Sequence, residues 1–268
     1  MKIVYSVLLA LLFGCVKQPA APEIQTATAV ATATSVATST STATQAPLKD
    51  PGKLEAGCPA KGVMGAVDIS MPVTQHFLDA MAWLGVKTVV RYYEYDNQTI
   101  KGKLPSAAEL KLIAGNGFSI LGVFQHNNSS PATFTADRGN ADAQRSVYLA
   151  GLWGQPKGSA IYFGVDFEPS AAQAANVDTY AANFSKVARA AGFKVGVYGS
   201  GDTLRRLKAA GLVDYTWVSQ STGFAGTKAY TASKAWALLQ GMPKDCGGLN
   251  VDFDQVGVAD FGQWKPSK

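Results

Sequence analysis

From Gly62 onward the chain alternates short β-branched or aromatic runs with Ala-rich amphipathic stretches. That alternation restricts it to βα units around a parallel sheet. Eight runs qualify as strands, near residues 64–69, 87–93, 119–125, 160–167, 194–198, 215–219, 235–240 and 249–253. Helices fit between the early ones, over residues 73–84, 106–114, 140–153, 171–191 and 203–210. The connections after the sixth and seventh strands are too short or too Gly-rich for full helices. Eight such units in about 200 residues predict a (β/α)8 TIM barrel, slightly degenerate, at the small end of that fold's range. A doubly wound open sheet is the alternative. It is weakened because Asp68-Ile69-Ser70-Met71-Pro72 stands after the first strand, where a Gly-rich phosphate loop would be needed.

The fourth strand fixes a register. In residues 161–168 the odd positions, Ile161, Phe163, Val165 and Phe167, are all apolar, whereas Tyr162, Gly164, Asp166 and Glu168 occupy the even ones. Side chains alternate along a strand, so the odd set is expected to face the helices and the even set the barrel axis. The eighth strand repeats the pattern, with Leu249, Val251 and Phe253 outward and Asn250, Asp252 and Asp254 inward. The first strand puts Asp68 inward between Val67 and Ile69. Carboxylates at the C-terminal ends of barrel strands lie on the face where such barrels do chemistry. Several together raise at least one pKa, as glycosidic cleavage requires of a proton donor.

The N-terminus reads as processing signal and tether. Lys2, the apolar residues 3–13, Gly14 and Cys15 form a leader too short to span a bilayer. Leu12-Phe13-Gly14-Cys15 resembles a bacterial lipobox, so residues 1–14 are expected to be removed and Cys15 lipidated. Residues 15–57 then form the anchor and a tether rich in Ala, Thr and Ser, with no core-forming residues in its low-complexity part. A coil of about 30 residues spans roughly 30 Å. Val16 carries no inner-membrane retention signal, so the expected location in a Gram-negative host is the outer membrane. The barrel domain occupies residues 58–268 and is expected to be a monomer.

Charge and ligand counts remove other classes. The net charge is +5 and becomes +4 once Lys2 leaves, which suits an anionic wall polymer but argues for no nucleic acid. Two histidines and three cysteines give no metal site and imply no cofactor. With Cys15 assigned to lipid, Cys58 and Cys246 remain. They lie a few residues before the first and eighth strands, which neighbour each other in a closed parallel barrel, and are expected to form a disulfide after export.

The chain resembles the glycoside-hydrolase-like domains of unknown function related to the family-25 glycoside hydrolases, the Chalaropsis-type lysozymes. The likeness rests on Asp68-Ile69-Ser70, Arg91-Tyr92-Tyr93, Lys103-Leu104 with Glu109, and Asn140-Ala141-Asp142-Ala143. It continues with Gly154-Gln155-Pro156-Lys157-Gly158, Asp166-Phe167-Glu168 and Val251-Asp252-Phe253-Asp254. The resemblance implies cleavage of β-1,4 bonds between N-acetylmuramic acid and N-acetylglucosamine in peptidoglycan. It makes Glu168 the general acid and Asp166 the group that orients or stabilises the reacting sugar, by a substrate-assisted or a two-carboxylate route, with Asp68 and Asp252 completing an acidic ring. Arg91, Tyr93, Gln125, Tyr198, Trp217, Gln240 and Asp254 are the expected glycan-binding residues. The competing reading is a membrane-tethered, non-catalytic glycan-binding or adhesion module on the same barrel.

Overall fold

The structure is a computed structural model, and it describes residues 52–266. The leader, Cys15 and most of the proposed tether therefore lie outside the described residues. The strands are β1 (Ala66–Asp68), β2 (Thr88–Tyr93), β3 (Ser119–Phe124), β4 (Ala160–Gly164), β5 (Lys194–Gly199), β6 (Tyr215–Val218), β7 (Leu238–Gln240), β8 (Lys244–Cys246) and β9 (Leu249–Val256). Between them run α1 (Gln75–Leu84), α2 (Ala107–Gly115), α3 (Ala136–Trp153), α4 (Ala171–Ala190), α5 (Gly201–Ala209) and α6 (Thr227–Ser233). Strands β1 to β7 pair in sequence order and in parallel, and β9 closes the ring between β7 and β1. This is the expected eight-stranded barrel, with only a short helix after β6 and a hairpin, β8–β9, after β7. Among the described residues no helix is long and apolar enough to cross a membrane.

Local sequence sets the helix ends. Thr74, Ser106, Thr135 and Ser200 each accept a backbone N–H of the first helical turn, and Gly85 and Gly154 end α1 and α3 in the left-handed region, at φ 91° and 70°. Because Thr135 is the cap, α3 begins four residues before the expected Asn140. β4 is shorter than expected: it ends at Gly164, so Asp166 and Glu168 lie beyond the strand and only Tyr162 and Gly164 keep the inward parity on it.

The direction of the eighth barrel strand corrects the sequence reading. β9 runs antiparallel to both neighbours, with Asp68 opposite Asp252 and Ala66 opposite Asp254. A parallel return needs a crossover of about a dozen residues or more. Here residues 241–248 are all that join β7 to β9, and β8 uses three of them. Asp252 therefore stands level with the C-terminal end of β1, while Asp254 lies deeper in the barrel.

The core has two layers. Outward side chains such as Val89, Ile120, Phe163 and Val197 pack against Phe77, Ile113, Tyr180 and Phe184 of the helices. Inward ones, including Val90, Leu121, Ala160, Tyr162 and Leu238, fill the lower barrel. Gly196 makes room for the Tyr162 ring, since a Cβ there would overlap it. The C-terminal segment joins this inner layer: Tyr162 donates to the Phe261 carbonyl at 2.8 Å, Ala160 N–H to Gly262 at 2.9 Å, and Ile120 pairs with Trp264. The lower barrel is thus solid, and the open space is left to the end where Asp68, Gln125, Gln240 and Asp252 stand.

Cys58 and Cys246 are joined, with Cα atoms 5.1 Å apart. The pairing agrees with expectation but its geometry does not, because β9 runs antiparallel and Cys246 sits on β8 of the hairpin. Glu55 adds to this clamp by accepting the N–H groups of Gly247 and Gly248, both at 2.9 Å.

Candidate active site

A cavity of about 230 Å³ opens among Tyr92, Lys103, Gln125, Asp166, Tyr198, Trp217, Gln220, Gln240 and Asp252. Its organiser is the side-chain amide of Gln240. The Nε2 donates to Asp68 Oδ2 at 3.0 Å and reaches Asp252 Oδ2 at 3.4 Å, while the amide oxygen accepts the Tyr198 hydroxyl at 2.8 Å. One amide thus holds two carboxylates, from β1 and β9, that the antiparallel register places opposite each other.

Burial sets the charge of these acids. Asp68 is 2% exposed, and desolvation pushes its pKa up to about 6, although the Tyr92 hydroxyl, at 2.6 Å, and Gln240 pull it down. Asp252 is pushed up to about 7 by desolvation and by repulsion from Asp68 and Asp166. Asp254 is fully buried and its pKa is driven well above the carboxylate range by desolvation and by Asp68, though Trp217 Nε1 donates to its Oδ1 at 2.7 Å. Asp166 is raised by burial as well, but Lys103 and a 3.1 Å hydrogen bond from Gln125 Nε2 oppose the rise. Asp252 Oδ1 and Asp254 Oδ2 are buried with no hydrogen-bond partner.

Gln125, Tyr198, Trp217, Gln240, Asp166 and Asp252 line one cavity, with Asp68 and Asp254 packed behind them. Arg91 and Tyr93 are not. On β2 the inward positions are Val90 and Tyr92, so Arg91 and Tyr93 face the helices. Arg91 donates to Glu109 of α2 at 2.7 Å, to Gly102 O at 3.0 Å and to Ile69 O, and is wholly buried. The Tyr93 ring stacks on Trp153 at 4.3 Å, its hydroxyl donates to Gln155, and its ring covers Gly122. Neither lines the cavity.

Glu168 also stands apart from the cavity. It lies beyond β4 and is exposed, and its Oε2 accepts the Ala225 N–H at 2.7 Å from the connection between β6 and α6. Phe167 before it packs on Phe134. Among the residues the cavity adds to the expected set are Tyr92, Lys103 and Gln220. Alternation counted from Val89 would have found Tyr92. Lys103 and Gln220 sit in loops, where no periodicity marks them.

Comparison with known proteins agrees with this architecture. Residues 79–263 match the family model described as the Rv2525c-like, glycoside hydrolase-like domain. An uncharacterized protein of Bacillus subtilis, YbfG, is 28% identical over 216 residues, which cover 74% of this chain and 29% of that protein. Rv2525c of Mycobacterium tuberculosis, named "Putative peptidoglycan hydrolase", is 29% identical over 167 residues, 61% of this chain and 68% of that one. This chain thus spans under a third of the first relative's length. The crystal structure of the Tat-secreted Rv2525c in complex with L-tartrate superposes with a TM-score of 0.64 at 24% identity, covering 75% of this chain and 99% of that chain. An uncharacterized Bacillus stearothermophilus protein gives 0.53 at 16%, over 73% and 96%.

Proposed function

The chain belongs to the Rv2525c-like, glycoside hydrolase-like domain family, and we propose that its barrel mouth cleaves glycan strands of the cell wall, with peptidoglycan as the substrate. The observation that carries this reading is the Gln240 amide holding Asp68 and Asp252 together beside Asp166. Glycosidic cleavage needs one carboxyl that keeps a proton at neutral pH and a second group that stabilises the charge on the sugar. Asp252, raised to about 7 and with a free oxygen in a buried position, fits the donor. Asp166, tempered by Lys103 and Gln125, fits the stabilising or orienting group. Tyr92 and Tyr198 offer aromatic surface, and the Gln220 amide, whose oxygen has no partner, is available to sugar hydroxyls. In this assignment Glu168 supports the loop at Ala225, and the donor's role passes to Asp252.

Export to the envelope belongs to the same reading. Rv2525c is a Tat-secreted protein, and a disulfide in the domain fits an oxidising compartment. Residues 1–14 act as leader and Cys15 as lipid anchor, with a tether that ends before Leu54 and Glu55, which are held to the barrel. Cys15→Ser is expected to move the protein from the membrane to the soluble fraction; equal membrane recovery would remove the anchor.

A second reading, a glycan-binding module without turnover, is favoured by the position of Glu168, whose carboxylate is occupied by Ala225 outside the cavity. Incubating the protein with purified peptidoglycan separates the two. New reducing ends support the hydrolase, whereas sedimentation with the polymer and no new ends supports the module.

A further inference from the structure

We propose that Lys103 is a positioning residue of the acidic cavity: seated by the buried pair Glu94 and His126 and bonded to the carbonyl of Gln125, whose side-chain amide holds Asp166, it places a positive charge on the Asp166 side of the cavity and favours the ionised form of Asp166 while its neighbours hold the proton. The inference rests on reading the mouth as a glycan-cleaving site, and it adds to that reading the residue that divides the labour among like carboxylates.

Lys103 arrives from the loop between β2 and α2, lines the cavity, and has a side chain only 6% exposed. Its Nζ donates to the Gln125 carbonyl at 2.9 Å and lies 4.7 Å from the centre of the Tyr92 ring. Glu94 Oε2 is 3.6 Å away and wholly buried. Glu94 is itself held, with His126 Nδ1 2.5 Å from Oε1 and the Thr99 hydroxyl 3.0 Å from Oε2. Burying an ammonium costs several kcal/mol unless a counter-charge is built for it; burial pulls the Lys103 pKa below its usual value, and Glu94, Asp166 and Asp68 oppose the fall.

A cation buried for stability alone ends at its partner, as Arg91 does at Glu109. Lys103 continues into the cavity. The charged and titratable groups around it are Tyr92 and Glu94 from β2 and its end, His126 beyond β3, Asp166 beyond β4 and Asp68 on β1, with Asp68 and Asp166 in turn acting on Asp252 of β9. Burial drives all three aspartates toward the protonated form, and repulsion from a neighbouring carboxylate adds to it at Asp68 and Asp252. Lys103 is the main cause opposing the rise at Asp166 and the least of those acting on Asp68, and this difference breaks the symmetry. Proton donor and anionic stabiliser can then coexist in a single cavity.

The test reads Asp166 directly, without requiring turnover. Carboxyl carbon NMR titration of aspartate-labelled protein, with Asp166→Asn to assign the signal, gives its midpoint. In Lys103→Met the midpoint is expected to rise by about one pH unit or more, the scale of losing an adjacent opposite charge, and Lys103→Arg is expected to restore it. If Lys103→Met fails to fold because Glu94 is left unpaired, Lys103→Met with Glu94→Gln removes both charges and should show the same rise. An Asp166 midpoint unmoved in the folded variant overturns the proposal. If the midpoint moves while even the wild type releases no reducing ends, the role of Lys103 stands and the hydrolase reading falls.

Discussion

On the outer face of β2, Arg91 is fully buried and all three guanidinium nitrogens donate, to Glu109, Ile69 and Gly102. On β9, Asp252 and Asp254 turn inward and each keeps a buried oxygen with no partner. Both strands carry charged residues amid apolar neighbours, and in sequence they look alike. What separates them is whether their polar atoms are used up. A buried charge whose atoms are all paired serves the fold, while unpaired buried carboxylates are held in place by the fold and remain available for chemistry.

If the β9 side depends on its clamp, opening the clamp gives the largest effect. The bridge closes a separation of 188 residues, for which the chain-entropy model gives about 5 kcal/mol. Urea unfolding of the reduced protein should show a loss approaching that value, and midpoints equal in both redox states would remove the clamp from the account. Arg91→Ala comes next. It strands Glu109 and should cost about 3–5 kcal/mol, with glycan binding per folded molecule unchanged. Reduced binding at unchanged stability would return Arg91 to the groove.

The pH dependence of stability sharpens the contrast further. The native pKa values of Asp68 and Asp252, about 6 and about 7, lie above the ordinary 3.8. Between these limits the native state keeps protons that the unfolded chain has released, so stability falls as pH rises from about 4 to about 7. Asp252→Asn should flatten this slope and gain on the order of 1–2 kcal/mol above pH 7, a modest figure because the cavity is open to solvent. A stability rising over the same range would contradict the buried protonated pair. The smallest effect is Tyr93→Phe, expected to cost about 1 kcal/mol in thermal unfolding and to leave glycan binding intact.

Much of this was legible in the sequence, for reasons that also explain the failures. Apolar alternation placed Asp68 and Asp252 inward, and the expected starts of α2 and α5, at residues 106 and 203, fall within two residues of Ala107 and Gly201. On β2, Thr88-Val89-Val90-Arg91-Tyr92-Tyr93 has no clean alternation, so the charge of Arg91 drew attention that belonged to Tyr92. Periodicity carries no strand direction, which is why β9 was expected to run parallel. Only the shortness of residues 241–248 signals the reversal. Glu168 continued the parity of β4 on paper, but the chain leaves the strand after Gly164 and the alternation no longer applies.

The central claim is that the Asp68–Asp252 pair, under Gln240, supplies the proton for glycan cleavage, and a single comparison of rates on purified peptidoglycan tests it. Reducing-end release should fall at least about a hundredfold in Asp252→Asn and remain within a few-fold of wild type in Glu168→Gln. The opposite pattern, a nearly unaffected Asp252→Asn and a silent Glu168→Gln, would contradict this account and return the donor's role to Glu168.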